Sequence, residues 1–346
     1  MDEERKSLDA LIQAIGWTPL VRLRRVPREA GLDGELLVKV EYFNPTGSLK
    51  DRIYLEMISE AVKSGDLKPG MEIIEASTGN AGISCSFIGR FYGHEVTVVM
   101  PEGMSRERRE AIKMYGGKVL LTPGGESDVD LCLEAVKRRL EDEPEKYWWP
   151  NQYGNPNNPK AHYRGTGPEL WMQSEGGVDC FVAAQGTGGT ITGVGRYLKE
   201  KRRDILIYAV EPAEAPTLTQ GRWGSHKIEG IGDGFIPENL DLDLLTGVVT
   251  VSSDEAVEMA RRLALDEGIF CGISSGCNVA AALKIAKNHP ELESIATMIN
   301  DTGNRYFTTE LCGAIKKIKI PERSHPIESE VIERLEKCWS RWEIIT

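Results

Sequence analysis

The sequence predicts an α/β fold arranged as two lobes, each a mostly parallel sheet covered by helices, and three observations carry that prediction. Short β-rich runs alternate with helical patterns: Met71 to Glu75 precedes Ser77-Thr78-Gly79-Asn80-Ala81-Gly82, Glu95 to Met100 precedes Pro101-Glu102-Gly103-Met104-Ser105, and Cys180 to Ala184 precedes a glycine-rich turn. The runs are mostly apolar, with Cys180 to Ala184 wholly so, as expected of parallel strands buried on both faces. At 346 residues the chain exceeds the usual size of a single core, so about two domains are expected.

Taken in order, Leu8, Leu11, Ile12 and Ile15 fall on one stripe of a first helix, a packing pattern. The glycines and prolines of 151–168 form the densest loop chemistry in mid-chain and place the lobe boundary there. The expected division is 1–155, with some early residues able to pack on the other lobe, then 156–320, then a helical extension 321–346. That extension opens at Pro326 and puts Ile327, Val331, Leu335, Cys338, Trp339 and Trp342 on one face, a cover for a lobe or a partner subunit.

Composition narrows the function. Lysine and arginine total 42 against 53 acids, a net charge of −11 that suits neither nucleic acid nor an anionic membrane surface as partner. The acidic start lacks a secretory pattern and no apolar run approaches the ~20 residues of a membrane span, so a cytoplasmic protein is expected. Seven cysteines without C-x-x-C spacing and five dispersed histidines suggest buried thiols and no metal site.

Chemistry concentrates in three loops. Gly186-Thr187-Gly188-Gly189-Thr190 lies between an apolar strand and a helical pattern, so backbone N–H groups, hydroxyls and a helix N-terminus could cradle a phosphate. The same run followed by a strand Ile205 to Val210 ending at Glu211 also imitates a dinucleotide fold with its ribose-binding acid, and a tight structural turn is a third reading. Lys50, in Asn44-Pro45-Thr46-Gly47-Ser48-Leu49-Lys50-Asp51-Arg52, is either a solvated charge or an amine able to form a Schiff base with a carbonyl cofactor. Ser77 to Gly82 follows a strand, where open α/β sheets bind ligands, although Ser77 or Thr78 could simply cap the next helix.

These motifs, with Ile15-Gly16-Trp17-Thr18-Pro19-Leu20, Gly167-Pro168-Glu169, His226 to Gly232 and Gly272-Ile273-Ser274-Ser275-Gly276, occur in an order that resembles the cysteine synthase and cystathionine β-synthase family of pyridoxal 5′-phosphate (PLP) enzymes, fold type II. The resemblance implies that the cofactor sits between the lobes. Lys50 would hold PLP, Asn80 would bond its 3′ oxygen, Gly186, Thr187, Gly188, Gly189 and Thr190 would hold its phosphate, and Ser274 would face its pyridine nitrogen. A neutral hydroxyl at that nitrogen weakens the electron sink and favours β-elimination and replacement over racemisation or transamination. Ser77, Thr78 and Gln152 match the positions that grip the substrate carboxylate.

The implied reaction is cysteine synthesis from an O-activated L-serine and a sulfur nucleophile, with Lys50 removing the α-proton and an aminoacrylate as intermediate. A homodimer is implied too; a complex with an acetyltransferase is conceivable without support from the residues. Two departures stand out. Ala81 replaces a hydroxyl residue of the family loop, and Asp233 stands where simple cysteine synthases carry a small apolar residue. Asp233 is either a turn residue or a group that binds the ammonium of a second amino acid or acts as an acid/base. The latter would suit a cystathionine or lanthionine synthase, or a lyase releasing hydrogen sulfide from cysteine. Asp301 could cap a helix or adjust hydrogen bonding at the ring, and Arg222 is either a surface charge or a contact for a phosphorylated donor. Outside this chemistry stand a nicotinamide-dependent dehydrogenase and a non-catalytic PLP-binding regulator.

Overall fold

A computed structural model describes residues 11–125, 128–313 and 327–346. Eleven strands among them form two sheets: β1 (Leu20–Arg22), β2 (Glu35–Val40), β3 (Glu72–Ala76), β4 (Val96–Pro101), β5 (Lys118–Thr122), β6 (Tyr147–Trp148), β7 (Cys180–Ala184), β8 (Leu206–Pro212), β9 (Gly247–Val251), β10 (Ser294–Ile299) and β11 (Glu343–Ile345). The smaller sheet has the order β5-β4-β3-β6 and is parallel throughout. The larger runs β1-β2-β10-β7-β8-β9-β11, parallel except for the antiparallel edge pair β1–β2.

Every residue of β4, β9 and β10 is buried, as continuous apolar strands require when helices cover both faces. Helices Lys50–Ser64 and Asn80–Phe91 supply one core of the smaller sheet through Ile53, Tyr54, Met57, Ile83 and Phe87, while Cys132 and Val136 of helix Val129–Asp142 close the opposite face. Helices Ser253–Glu267 and Ile273–Asn288 cover one face of the larger sheet, and Ile191, Val194 and Leu198 of helix Gly189–Lys201 cover the other.

β1 and β2, early in the chain, belong to the larger sheet, because Leu36 to Val40 pair with β10, a packing on the other lobe for which the sequence reading left room. Two other expectations are corrected. The expected mid-chain loop is largely helical: Asn157–Ala161, a π-turn His162–Thr166 and Gly167–Gln173 follow without a break. Its prolines sit at Pro156 on the N-cap, at Pro159 in the first turn and at Pro168 where the next helix begins; Gly165 lies in the π-turn. A missing N–H is harmless in a first turn. The C-terminal helix spans Ser329–Trp339, and the chain then extends into β11 along β9, so Trp342 lies beyond the helix although it packs in the same core as Leu335 and Cys338. Leu8 and Pro326 lie outside the described residues; Ile12 and Ile15 pack on the core of the smaller sheet.

Candidate active site

The carboxyl ends of β3, β7 and β10 lead directly into a cavity between the two sheets. Lys50, Ser77, Thr78, Asn80, Ala81, Gln152, Gly186, Thr187, Gly188, Thr190, Asp233 and Ser274 all line it; Gly189 does not, and packs against the Asn158 side chain. Residues more than 200 positions apart are thus collected where open α/β sheets place their ligands.

Lys50 is the first residue of its helix and is held from both sides. Leu49 N donates to Asn300 O at 3.0 Å, tying the loop to the end of β10. Asp51 accepts from Thr46 N (2.7 Å), Thr46 Oγ1 (2.5 Å) and Ser84 Oγ (2.6 Å), folding the loop back on itself. Burial of the ammonium lowers the Lys50 pKa to about 8, the charges of Asp233 and Glu75 opposing that fall. A neutral amine is therefore accessible close to neutrality.

In the β3 loop, Ser77 Oγ accepts from Gly79 N (3.0 Å) and Gly82 N (2.8 Å), so it caps the start of helix Asn80–Phe91. Its O–H remains available to a ligand, as does half-buried Thr78. Gln152 Nε2 donates to Ala76 O at 3.0 Å, and Gln152 Oε1 is buried with no hydrogen-bond partner.

The glycine loop is built for close approach. Gly188 adopts φ +76°, and a Cβ there would lie 2.8 Å from Leu240 N; a Cβ on Gly186 would meet Gly230 O at 2.5 Å. Thr187 Oγ1 accepts from Asn158 Nδ2 (2.9 Å), which leaves its O–H free, while Thr190 Oγ1 lies 3.2 Å from His162 Nε2. Burial depresses the His162 pKa to about 3, so this imidazole is neutral at working pH. An anion in this loop meets amides, hydroxyls and the helix Gly189–Lys201 N-terminus. Across the cavity, Ser274 Oγ accepts from Asn300 Nδ2 at 3.1 Å, so its hydrogen can be donated to an unprotonated ring nitrogen. A Schiff-base amine, an anion cradle and a neutral donor in one cavity fit PLP.

Asp233 is 5% exposed, and burial raises its pKa to about 6 against the opposing effects of Lys50 and the Tyr153 hydroxyl. Sequence reasoning missed Glu75, fully buried behind the Ser77 loop. It accepts from Tyr54 OH (3.0 Å) and Trp149 Nε1 (2.9 Å), and burial raises it to about 7. The available signal was a carboxylate directly after the apolar pair Ile73-Ile74, one residue before the strand ends. Arg108 and Glu229, paired across the cavity wall, were also missed; the charge-rich segment around Arg108 reads as a solvated helix.

Glu211 does not face this cavity. Its carboxylate accepts from Leu218 N (2.5 Å) and from Thr219 N (3.1 Å) and Oγ1 (2.5 Å), capping the short helix Thr217–Gln220, so the dinucleotide reading loses its ribose acid. Arg222 is exposed and bonded to Gln220 Oε1. Among the described residues no cluster of His, Cys, Asp or Glu could hold a metal ion, and no helix is long and apolar enough to cross a membrane. Six cysteines are buried and Cys312 is exposed.

Comparison with known proteins agrees with this geometry. Residues 11–301 match the family model described as pyridoxal-phosphate dependent enzyme. Cysteine synthase 3 of Caenorhabditis elegans is 46% identical over 86% of this chain and 88% of its own length. A hydrogen sulfide-producing enzyme from Fusobacterium nucleatum superposes with TM-score 0.81 at 39% identity, covering 86% of this chain and 98% of that one. Cysteine synthase from Entamoeba histolytica gives TM-score 0.82 at 37% identity over 96% of both chains. The chain belongs to the pyridoxal-phosphate-dependent enzyme family, in the group that contains the cysteine synthases.

Proposed function

We propose that this protein is a cytoplasmic, homodimeric β-replacement enzyme that makes L-cysteine from an O-activated L-serine and sulfide. The observation that carries the reading is the convergence of Lys50, the Ser77–Thr78 loop and the glycine loop on one cavity. When bound, PLP supplies the electron sink that acidifies the α-proton and lets a group leave Cβ. Lys50 would hold the cofactor and, as a free amine, would accept the α-proton on Nζ; its pKa of about 8 makes the neutral base available. Ser77, Thr78 and Gln152 orient the substrate carboxylate with hydroxyl and amide donors, and Asn80 donates to the cofactor's 3′ oxygen. Gly186, Thr187, Gly188, Gly189 and Thr190 hold the phosphate; Ser274 donates to the ring nitrogen.

Self-association is supported by Trp17 and Phe43, 67% and 60% exposed, on segments joined by the Gly16 N to Asn44 Oδ1 hydrogen bond (2.9 Å). A cytoplasmic location is supported by the buried thiols and the acidic composition.

Buried Asp233 favours a second reaction at the same site. A carboxylate there can bind the ammonium of a second amino acid such as cysteine or homocysteine, which sulfide lacks, permitting synthesis of lanthionine or cystathionine, or it can act as an acid/base in the release of hydrogen sulfide from cysteine. The test is to give PLP-loaded protein O-acetylserine, O-phosphoserine, serine or cysteine, then sulfide, cysteine or homocysteine, and identify products by mass spectrometry. Cysteine from an O-activated serine is expected. No β-substituted product from any pair refutes the reading. Asp233→Asn should impair reactions of amino-acid thiols about tenfold or more, the scale of one charge-assisted hydrogen bond, and sulfide addition much less; equal losses remove the role of Asp233.

A further inference from the structure

Asn80 opens its helix with both ends of its amide engaged by buried charges. Its Nδ2 donates to Asp301 Oδ2 at 2.7 Å, and its Oδ1 accepts from Arg305 Nη1. Asp301 is 0% and Arg305 6% exposed. Both partners are themselves fixed: Tyr306 OH donates to Asp301 Oδ2 at 2.9 Å, Arg305 Nη2 donates to Thr46 O, and Ser105 Oγ donates to Arg305 O at 3.0 Å. The Arg108 guanidinium lies over the Tyr306 ring, 4.4 Å from its centroid.

We infer that Asp301 and Arg305 are positioning residues that hold the Asn80 amide in one of its two orientations, so that it meets the cofactor's 3′ oxygen as an N–H donor. A free asparagine side chain offers either its oxygen or its nitrogen. Here rotation by 180° would set the amide oxygen against a buried carboxylate and the NH2 against a buried guanidinium, replacing two charge-assisted hydrogen bonds by two repulsive contacts. The retained orientation spends one N–H on Asp301 and leaves the other for the cavity. Arg305 also holds the carbonyl oxygen, which would otherwise compete as an acceptor. Asp301 thus adjusts hydrogen bonding at the ring through Asn80, and its buried Oδ1 has no partner of its own that could hold it for another purpose.

This inference rests on the proposal that Asn80 contacts the cofactor, and a double-mutant cycle separates the two. PLP loss from the loaded protein during dialysis and its visible absorption maximum are measured for the parent, Asn80→Ala, Asp301→Asn, the double variant and Arg305→Lys. Asp301→Asn is expected to speed PLP loss about tenfold and to move the absorption maximum, because an isosteric amide accepts either orientation of Asn80. In the Asn80→Ala background the same substitution should change the rate less than about twofold, since its route to the cofactor is gone. Arg305→Lys, which keeps the charge, should retain most of the parent behaviour. If Asp301→Asn fails to fold, Asp301→Ser takes its place in the cycle. Equal effects of the Asp301 substitution with and without Asn80 overturn the inference; an Asn80→Ala protein that keeps PLP and its spectrum unchanged overturns the contact on which it rests.

Discussion

Arg52, two residues after Lys50, offers the sharpest test of what holds the catalytic loop in place. Its guanidinium forks twice: Nε and Nη2 donate to Glu41 Oε2 (2.6 Å) and Oε1 (2.9 Å), and Nη1 and Nη2 to Glu169 Oε1 (2.6 Å) and Oε2 (2.7 Å). Glu41 is 0% and Glu169 4% exposed, and Lys39 Nζ adds a second cation 2.8 Å from Glu169 Oε2. Burial alone would raise the Glu169 pKa, but the Arg52 hydrogen bonds and charge hold it down to about 2. Arg52→Met therefore leaves two buried carboxylates with one cation, and removing one partner of such a cluster costs about 3–5 kcal/mol. Arg52→Lys keeps the charge but loses the paired forks and should fall between. Urea unfolding of the PLP-loaded protein, followed by tryptophan fluorescence and by cofactor absorbance, reads the loss. Combining Arg52→Met with Glu41→Gln should recover more than half of it, because Glu169 then keeps the Lys39 ammonium as its counter-ion and no buried charge is left without a partner. A single variant within about 0.5 kcal/mol of the parent, the range of ordinary surface substitutions, would refute this reasoning.

Other consequences are accessible to simpler measurements. Glu75 has its folded pKa raised from 4.5 to about 7, so its contribution to stability is full below 4.5 and is lost as pH rises through 7. Glu75→Gln should remove that fall and gain up to roughly 3 kcal/mol at pH 8, read as a higher melting temperature at pH 8 but not at pH 4. β-Elimination should rise with pH as the Lys50 amine loses its proton near 8, and in Asp233→Asn the midpoint should move below 8, since Asp233 raises the lysine pKa; a midpoint moved upward contradicts the pairing. Gly188→Ala, strained at φ +76° and crowded by Leu240, should weaken PLP retention about tenfold or more in dialysis, whereas Gly65→Ala, at φ +82° with open space around it, should leave retention unchanged.

Much of this was legible because it is local. Continuous apolar runs ending in Gly, Ser or Thr announce buried parallel strands, and β7 falls at Cys180–Ala184 as its hydrophobic pattern requires. The glycine loop, Lys50 and the Ser77 loop each advertise chemistry through residue type and position at a strand end or helix start. What was not legible depends on tertiary context. No local pattern says that Leu36 pairs with Ile295, more than 250 residues away, and Pro159 looks like a loop residue until its first-turn position is known. Glu211 carries the right residue type for a ribose contact, yet the turn at Leu218 and Thr219 claims its carboxylate. Glu75 and Arg108 look like ordinary charges in one dimension; only folding buries them around the cavity.

The most direct measurement is borohydride reduction of the PLP-loaded protein, followed by peptide mass spectrometry. The account predicts a single pyridoxyl adduct on the peptide that contains Lys50, and none in Lys50→Ala. A modified lysine elsewhere, or a saturated protein that carries no adduct, would contradict it.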